Sequence, residues 1–405
     1  MIYTSGSTGS PKAVRVAHAS LAYLCRAVNE RYGVGPEDRV LQFAALSFDT
    51  SIEQILNTLL NGATLVLPEY AWAPSELPGR LVSHGVTVMD LTPSYWRAFL
   101  AELAREPVEL PVRLTIVGGS AVHAEDCRTA LRLMPDSRLV NAYGLTETTI
   151  TSCTMEITAE ALPQGPAPVG RPLPGTVVRV LDERLNPVPP GRHGEIYLGG
   201  PGVAQGYLGD EERSRQRFVT LPGAAAGTGT VYRTGDLGGW TADGNLEIVG
   251  RADRQLKIRG FRVEPAEIEA ALSAHGLVDD AAVTSFAHRG GPARRLLHRP
   301  ARPAPLDPGE LRAFTARHLP AYMVPARFVQ LDAMPTTAHG KTDFAALPDP
   351  SELPGALRRP VPGRPRRTSW SAPSPVCGVR CSVWSRWGRS TTSSIWAAIR
   401  SSRPS

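Results

Sequence analysis

Ten residues near the amino end, Tyr3-Thr4-Ser5-Gly6-Ser7-Thr8-Gly9-Ser10-Pro11-Lys12, combine glycine, hydroxyls and one lysine. The N–H and O–H groups of such a loop can close around phosphate oxygens, and the lysine adds a point charge. Nucleotide chemistry is one reading, and a flexible Ser/Gly linker is the other. The spacing matches neither the P-loop nor the dinucleotide fingerprint. Phosphate loops normally follow a supporting strand. Little precedes this one, so the chain is expected to lack the beginning of its domain.

The elements that would position this loop alternate in kind. Short apolar runs at Ala63–Leu67, Val86–Met89 and Leu114–Val117 alternate with helix-like stretches at Leu21–Val28, Ser51–Leu60 and Ser94–Leu103. That spacing predicts buried, largely parallel strands with crossover helices. From Pro168 to Val249, Gly and Pro turns separate β-rich pieces, which predicts a β-rich subdomain. Past Asp253 a short strand pair precedes Glu264-Pro265-Ala266-Glu267-Ile268-Glu269, with proline and acids where a helix's first turn favours them. The expected organisation is therefore a large part over 1–253, a small α/β module over 254–349, and a tail over 350–405.

A hydrophobic content of 42% suits a buried core. No run of about 18 apolar residues could span a membrane, and no signal segment opens the chain, so the expected location is cytoplasmic. Five scattered cysteines do not make a disulfide framework, and Cys377/Cys381 lack a second pair for zinc. The net charge is +6, but ten arginines and no acid lie between Leu353 and Ser405, which leaves the preceding 352 residues at −4. The body is mildly acidic, so neither nucleic acid nor a membrane is an expected partner.

More segments follow the loop in a fixed order. They are Ser47-Phe48-Asp49-Thr50-Ser51, Asn141-Ala142-Tyr143-Gly144-Leu145-Thr146-Glu147, Gly194-Glu195-Ile196-Tyr197, Gly202–Tyr207, Tyr232-Arg233-Thr234-Gly235-Asp236-Leu237, Gly250-Arg251-Ala252-Asp253 running on to Gly260, and Leu319–Pro325 followed by Gly340-Lys341-Thr342-Asp343. Together they closely resemble the adenylation domains of nonribosomal peptide synthetases, in the adenylate-forming (ANL) superfamily. The resemblance runs from residue 2 to about residue 348. It implies an ANL α/β fold, with an incomplete large N-terminal domain of α/β sheet layers plus a β-rich subdomain, and a small α/β C-terminal domain.

It also implies the activity: an amino acid and ATP give aminoacyl-AMP and pyrophosphate, and the acyl group then passes to the phosphopantetheine of a peptidyl carrier domain. The reaction requires charge stabilisation on the transferring group. By resemblance Thr4, Ser5, Gly6, Ser7, Thr8, Gly9 and Lys12 hold the departing pyrophosphate, Thr146 belongs to the same nucleotide site, and Glu147 is a catalytic acid that ligates Mg²⁺, a hard ion suited to oxygen donors. Asn141 and Tyr143 resemble adenine contacts, Asp236 the ribose acceptor, and Arg251 a ribose or phosphate contact. Lys341 resembles the catalytic lysine that reaches the substrate carboxylate and phosphate, and Asp253 the hinge of the small domain. Each residue type also has an ordinary reading: helix-cap acid for Glu147, turn aspartate for Asp236, solvated loop lysine for Lys341.

Asp49 resembles the acid that binds a substrate α-amino group, with a capping aspartate as the alternative. The family's substrate-pocket positions fall on Asp49, Thr50, Glu53, Asp90, Ile116, Gly118, Ala142, Ile150 and Thr151, together with Lys341. Two further buried carboxylates, Glu53 and Asp90, are costly without a cation. A basic substrate such as lysine, β-lysine, ornithine or arginine would supply one.

Three departures from the family pattern stand out. Ala13 replaces a usual glycine. Ala287–Pro305 is rich in arginine and histidine where an apolar strand belongs, which puts that strand in question. The Arg/Ser/Pro/Trp-rich tail reads as disordered or as a carrier domain out of frame: one base earlier, GC-rich codons permit the phrase Asp-Asp-Phe-Phe-Asp-Leu-Gly-Gly-His-Ser-Leu-Leu. The competing functional readings are another ANL acid:thiol ligase, such as an acyl-CoA synthetase, and an inactive fragment.

Overall fold

The computed structural model describes residues 1–5, 11–160, 165–221, 229–258, 261–275, 278–288, 291–300, 307–331, 334–335, 343–344 and 346–347. Of the residues singled out above, Gly6, Ser7, Thr8, Gly9, Ser10, Gly260, Gly340, Lys341, Thr342, parts of the 287–305 stretch and the whole tail lie outside this set.

The hairpin β1 (Ile2–Thr4) and β2 (Lys12–Val14) flanks the glycine-rich loop, with Thr4 opposite Lys12. Helix α1 (His18–Tyr32) follows and ends on Gly33, whose left-handed conformation (φ 60°) lets its N–H cap the Asn29 carbonyl. Next come β3 (Arg39–Leu41), α2 (Asp49–Leu60), β4 (Thr64–Val66), α3 (Leu77–Ser83), β5 (Val88–Leu91), α4 (Pro93–Arg105), β6 (Leu114–Gly118), α5 (Ala124–Leu133) and β7 (Arg138–Tyr143). A single 3₁₀ turn, Thr146–Thr148, leads to β8 (Cys153–Ile157) and β9 (Arg171–Pro172).

Seven of these strands form one sheet in the order β4-β3-β5-β6-β7-β8-β9, parallel through β7 and antiparallel beyond it. One face is covered by α3–α5 around Trp96, Phe99, Leu103, Val117 and Leu139, the other by α1 around Leu24, Val28, Val88, Ile116 and Val140. Helix α4 shows why the sequence folds so: proline sits at its start, and Trp96, Phe99, Leu100 and Leu103 recur at helical spacing on the buried face. Helix α2 is different. It buries Ser51, Glu53, Gln54, Asn57 and Thr58, a polar face that packing alone does not call for.

The β-rich region is a second, antiparallel sheet. Strands β10 (Val177–Leu181), β11 (Gly194–Gly199), β12 (Phe218–Val219), β13 (Val231–Trp240) and β14 (Leu246–Arg251) pair in the order β10-β11-β13-β12, with β14 on the other part of β13. Short helix α6 (Glu211–Arg217) precedes β12. The first hairpin docks here through a bridge between Val14 and Tyr207.

Beyond Asp253, the hairpin β15 (Leu256–Ile258) and β16 (Phe261–Val263) leads into α7 (Pro265–Ser273), then β17 (Val278–His288), β18 (Gly291–Pro300), α8 (Pro308–His318) and β19 (Arg327–Gln330). The arginine-rich stretch does form a strand: β18 pairs antiparallel with β17 and parallel with β19. Backbone groups make those bonds, so pairing tolerates side chains that the apolar pattern disfavours. Val263, Ile268, Leu272, Val283, Leu311 and Phe328 make a separate small core.

Candidate active site

A cavity of about 1370 Å³ opens beyond the carboxyl ends of β5, β6 and β7, where open α/β sheets bind ligands. The nine described pocket positions named from the sequence all line it, Lys341 lying outside the described residues: Asp49, Thr50 and Glu53 from α2, Asp90 from β5, Ile116 and Gly118 from β6, Ala142 from β7, and Ile150 and Thr151 from the turn after it. Thr4, Ser5, Tyr143 and Thr146 complete one wall, and Phe261, Arg262 and Tyr322 close it from the small module.

Two glycines make this geometry possible. A Cβ on Gly118 would stand 2.7 Å from the Ala142 carbonyl oxygen, and one on Gly144 only 1.8 Å from that of Ile150. The turn itself is strained, because Thr149 (φ 58°) and the β-branched Ile150 (φ 70°) both sit in the left-handed region, at a cost of about 1–3 kcal/mol each. That strain presents Ile150 and Thr151 to the cavity.

Three acids are spaced along this wall. Asp49 accepts from the Thr146 hydroxyl (2.6 Å) and the Thr50 amide (2.8 Å); burial still raises its pKa, these bonds opposing the shift. Glu53 is 4% exposed and accepts from the Thr151 hydroxyl at 2.8 Å. Burial, and then the nearby Asp90 charge, push its pKa up to about 8. Burial likewise raises Asp90 to about 7, although Gln54 Nε2 donates to it at 3.3 Å. Among the described residues no cation pairs with Glu53 or Asp90.

The second constellation is centred on Glu147, whose side chain is wholly buried. Oε1 accepts from Lys12 Nζ (3.1 Å), Tyr207 Oη (2.8 Å) and Arg262 Nη1 (3.0 Å), and Oε2 from the same Arg262 nitrogen at 2.8 Å. Burial alone would raise this carboxyl's pKa, yet the Arg262 and Lys12 charges hold it well below the usual range. Burial lowers Lys12 to about 8 despite its anionic neighbour. Lys12 also lies 4.7 Å from the Tyr207 ring centroid.

These residues fit a magnesium–nucleotide. An ionised, oxygen-only donor suits Mg²⁺, which takes one or two carboxylates and completes its shell with phosphate and water. Among the described residues no three acids, histidines or cysteines gather elsewhere to hold a metal. The Thr4 hydroxyl is buried without a hydrogen-bond partner among the described residues, next to the loop expected to meet phosphate.

Other expected contacts are occupied within the protein. Asp236 accepts from Tyr143 Oη (2.6 Å) on Oδ2 and from Arg251 on Oδ1. Arg251 also holds both oxygens of Asp253, at 2.7 and 2.9 Å, and Arg217 reaches Asp253 at 3.4 Å. Asn141 does not line the cavity: its carboxamide donates to the carbonyls of Pro168 (2.8 Å) and Ala167 (3.4 Å) on the other face of β7.

Arg262 and Tyr207 are the residues that sequence reading missed. Tyr207 ends the Gly202–Tyr207 segment, and Arg262 stands two residues past the segment ending at Gly260, so both signals lay beside quoted motifs. The hairpin is further seated by Ser5 Oγ, which donates to the Arg262 carbonyl at 2.8 Å, and by Phe48 against Phe261, their centroids 5.0 Å apart.

Residues 1–208 match the family model for AMP-binding enzyme, and residues 267–341 that for the AMP-binding enzyme C-terminal domain. The chain belongs to the AMP-binding enzyme family. It is 43% identical over 372 residues to a probable non-canonical nonribosomal peptide synthetase, CymA, of Salinispora arenicola, covering 90% of this chain and 5% of that protein. Among solved structures it is similar to holo-PA1221, an NRPS protein containing adenylation and PCP domains, at 32% identity and a TM-score of 0.74, covering 85% of this chain and 59% of that one. The Vibrio cholerae adenylation domain AlmE, solved with glycyl-adenosine-5'-phosphate, gives 25% identity and a TM-score of 0.74 over 85% of this chain and 64% of that one. The AMP-binding chain thus spans a small part of its long curated relative and under two thirds of these structures. Its fold is the adenylate-forming α/β fold expected from the sequence motifs. No helix among the described residues is long and apolar enough to cross a membrane.

Proposed function

We propose that this chain activates a basic α- or β-amino acid for nonribosomal peptide synthesis. The substrate carboxylate attacks the α-phosphorus of ATP, the bond to the β-phosphate breaks, and aminoacyl-AMP and pyrophosphate result. The acyl group then goes to the phosphopantetheine thiol of a carrier domain, and AMP leaves. The observation that carries this reading is the pocket itself: Asp49, the proposed partner of the α-amino group, lines it together with Glu53 and Asp90, two acids that no described cation pairs.

An ammonium or guanidinium from the substrate would neutralise them, and a neutral side chain would leave both desolvated. Glu147 is the proposed Mg²⁺ ligand, and the bound ion would neutralise charge on the phosphates. Thr4, Ser5 and Lys12 would face the departing pyrophosphate, with Gly6, Ser7, Thr8 and Gly9 between them. Lys341, outside the described residues, is the proposed catalytic cation for the reacting carboxylate. The small module after Asp253 would close the site, and multimodular peptide synthetases among the relatives support a carrier domain as partner.

An ATP–pyrophosphate exchange panel tests this directly. Lysine, β-lysine, ornithine or arginine should lead every neutral amino acid by at least about 10²-fold, since a site built for a polar group can reject substrates without it by up to about 10⁴–10⁵-fold. An aliphatic amino acid far ahead of all basic ones would refute the specificity, and a folded sample exchanging nothing would refute the activity.

A further inference from the structure

Tyr32 does not line the cavity, yet its phenol faces Glu53, Asp90 and Thr151, which do. It is the last residue of α1, on the buried face that also carries Leu24 and Val28, and it is only 1% exposed. Packing in that cluster, against Val88 and Ile116 of the sheet, calls for a ring but not for a hydroxyl. The hydroxyl makes no hydrogen bond among the described residues, and a buried polar group without one costs free energy that phenylalanine would not.

Glu53 has a matching gap. Its Oε2 accepts from Thr151 at 2.8 Å, and among the described residues Oε1 receives no donor. Burial and the Asp90 charge favour the protonated form of this acid. An ionised carboxylate, in contrast, only accepts, and calls for donors on both oxygens. The idle phenol is such a donor, so its use lies with Glu53 in the charged form.

We propose that Tyr32 is a positioning residue for substrate choice, whose hydroxyl donates to Glu53 Oε1 once the cation of a basic amino acid ionises that acid. This rests on the reading of the pocket as one for a basic substrate. As the ammonium or guanidinium arrives, the Glu53 proton leaves to solvent. The carboxylate is then held by Thr151 on Oε2, by Tyr32 on Oε1 and by the charge of the substrate. A neutral substrate leaves Glu53 protonated and the phenol unused, so the hydroxyl favours basic substrates alone. No other group facing Glu53 can take this part: Asp90 and Asp49 are acids that oppose its ionisation, and burial holds the Cys25 thiol, also on α1, in its neutral form.

Tyr32→Phe keeps the ring and removes the hydroxyl alone, and ATP–pyrophosphate exchange with the full chain reads the result. KM for the leading basic amino acid should rise about 10-fold or more, the worth of one hydrogen bond to a charged group, with kcat little changed. KM for neutral amino acids should stay where it is. The melting midpoint without substrate should not fall, because the hydroxyl has no bond to lose. Binding calorimetry at pH 7, in two buffers of different ionisation heat, should show protons released as the basic amino acid binds the wild type, and fewer released with Tyr32→Phe. An equal rise in KM for basic and neutral substrates, no rise for either, or no proton release in the wild type would overturn the proposal. So would a lowered midpoint or a variant that fails to fold, since a hydroxyl needed for stability is not held for Glu53. A panel in which no basic amino acid leads would refute the reading of the pocket and this proposal with it, whereas a basic preference unchanged in Tyr32→Phe would refute the proposal alone.

Discussion

The buried acids that line the cavity and the buried Glu147, which does not, are treated in opposite ways. Glu147 meets two cations and a phenol, and its charge is held firmly. Glu53 and Asp90 meet only neutral donors, Thr151 and Gln54, and their pKa values rise to about 8 and 7. The same cost of burial acts on both. What differs is whether the chain supplies the compensating charge from within. An acid compensated internally keeps its charge whatever is bound; an acid left uncompensated must take a proton or wait for a cation from outside. The first arrangement suits a site that binds the same cofactor in every cycle, and the second suits selection among substrates.

Removing the charge at the compensated end should have the largest effect. Glu147→Gln leaves Lys12 and Arg262 buried with no anion between them, a loss of about 3–5 kcal/mol when one partner of a buried pair goes, read as a lower midpoint in urea unfolding. ATP–pyrophosphate exchange should fall by about 10²-fold or more in whatever remains folded. Glu147→Gln that unfolds at the wild-type midpoint would mean the two constellations are not distinguished by internal compensation.

The paired change at the uncompensated end should spare stability and alter choice. Glu53→Gln with Asp90→Asn removes two charge-assisted contacts to a basic substrate, each worth about 1.5–3 kcal/mol. Exchange with that substrate should then drop about 10²- to 10⁴-fold, and neutral amino acids of similar length should gain. A double variant still preferring the basic amino acid would show that the cation is read elsewhere.

The uncompensated end should also make ligand-free stability fall with pH. Each acid has a folded pKa above its ordinary value, 4.5 to about 8 for Glu53 and 3.8 to about 7 for Asp90. Between those limits the folded state binds more protons than the unfolded one, so stability declines as pH rises. The groups facing Glu53 are Asp90, Asp49, Thr151 and the Tyr32 phenol, none of them cationic. Thermal melts should therefore show Glu53→Gln raising the midpoint at pH 8 and leaving it unchanged at pH 4. A saturating basic amino acid should erase the difference. Equal gains at both pH values would mean that Glu53 is not held protonated by its surroundings.

Much of this contrast can be read from residue types. The alternation of β5–β7 with α3–α5 and the wholly polar buried face of α2 follow from period and composition, because parallel strands covered on both faces are apolar and anything else there needs a reason. Asp49, Glu53 and Asp90, by contrast, are picked out by the resemblance to the family's pocket positions, and only the burial of carboxylates without a cation is argued from their residue types. Arg262 is picked out by neither, because an arginine in a hairpin is ordinary until the docking of one module on the other brings it 115 residues back to Glu147. Asn141 shows the other side: its motif suggests a ligand contact, and what the structure adds is a bond from its amide to the Pro168 carbonyl 27 residues away. The β18 strand was hidden by its arginines, since pattern reads side chains and pairing uses the backbone.

The smallest effect should come from the neutral donor that the uncompensated end does possess. Thr151 reaches the cavity only because Thr149 and Ile150 adopt left-handed conformations, and its hydroxyl donates to Glu53 Oε2 at 2.8 Å. Thr151→Val keeps the β-branched shape and removes that donor alone. If Glu53 is charged when a basic substrate binds, the lost bond costs about 1.5–3 kcal/mol, so KM for the amino acid should rise roughly 10-fold or somewhat more, with kcat little changed. If Glu53 stays protonated in the complex, its own proton can turn to another acceptor, and KM should hardly move. The size of this one change therefore reports the protonation state of Glu53 with substrate in place, which decides whether the pocket pairs its ligand ion to ion or merely hydrogen-bonds it.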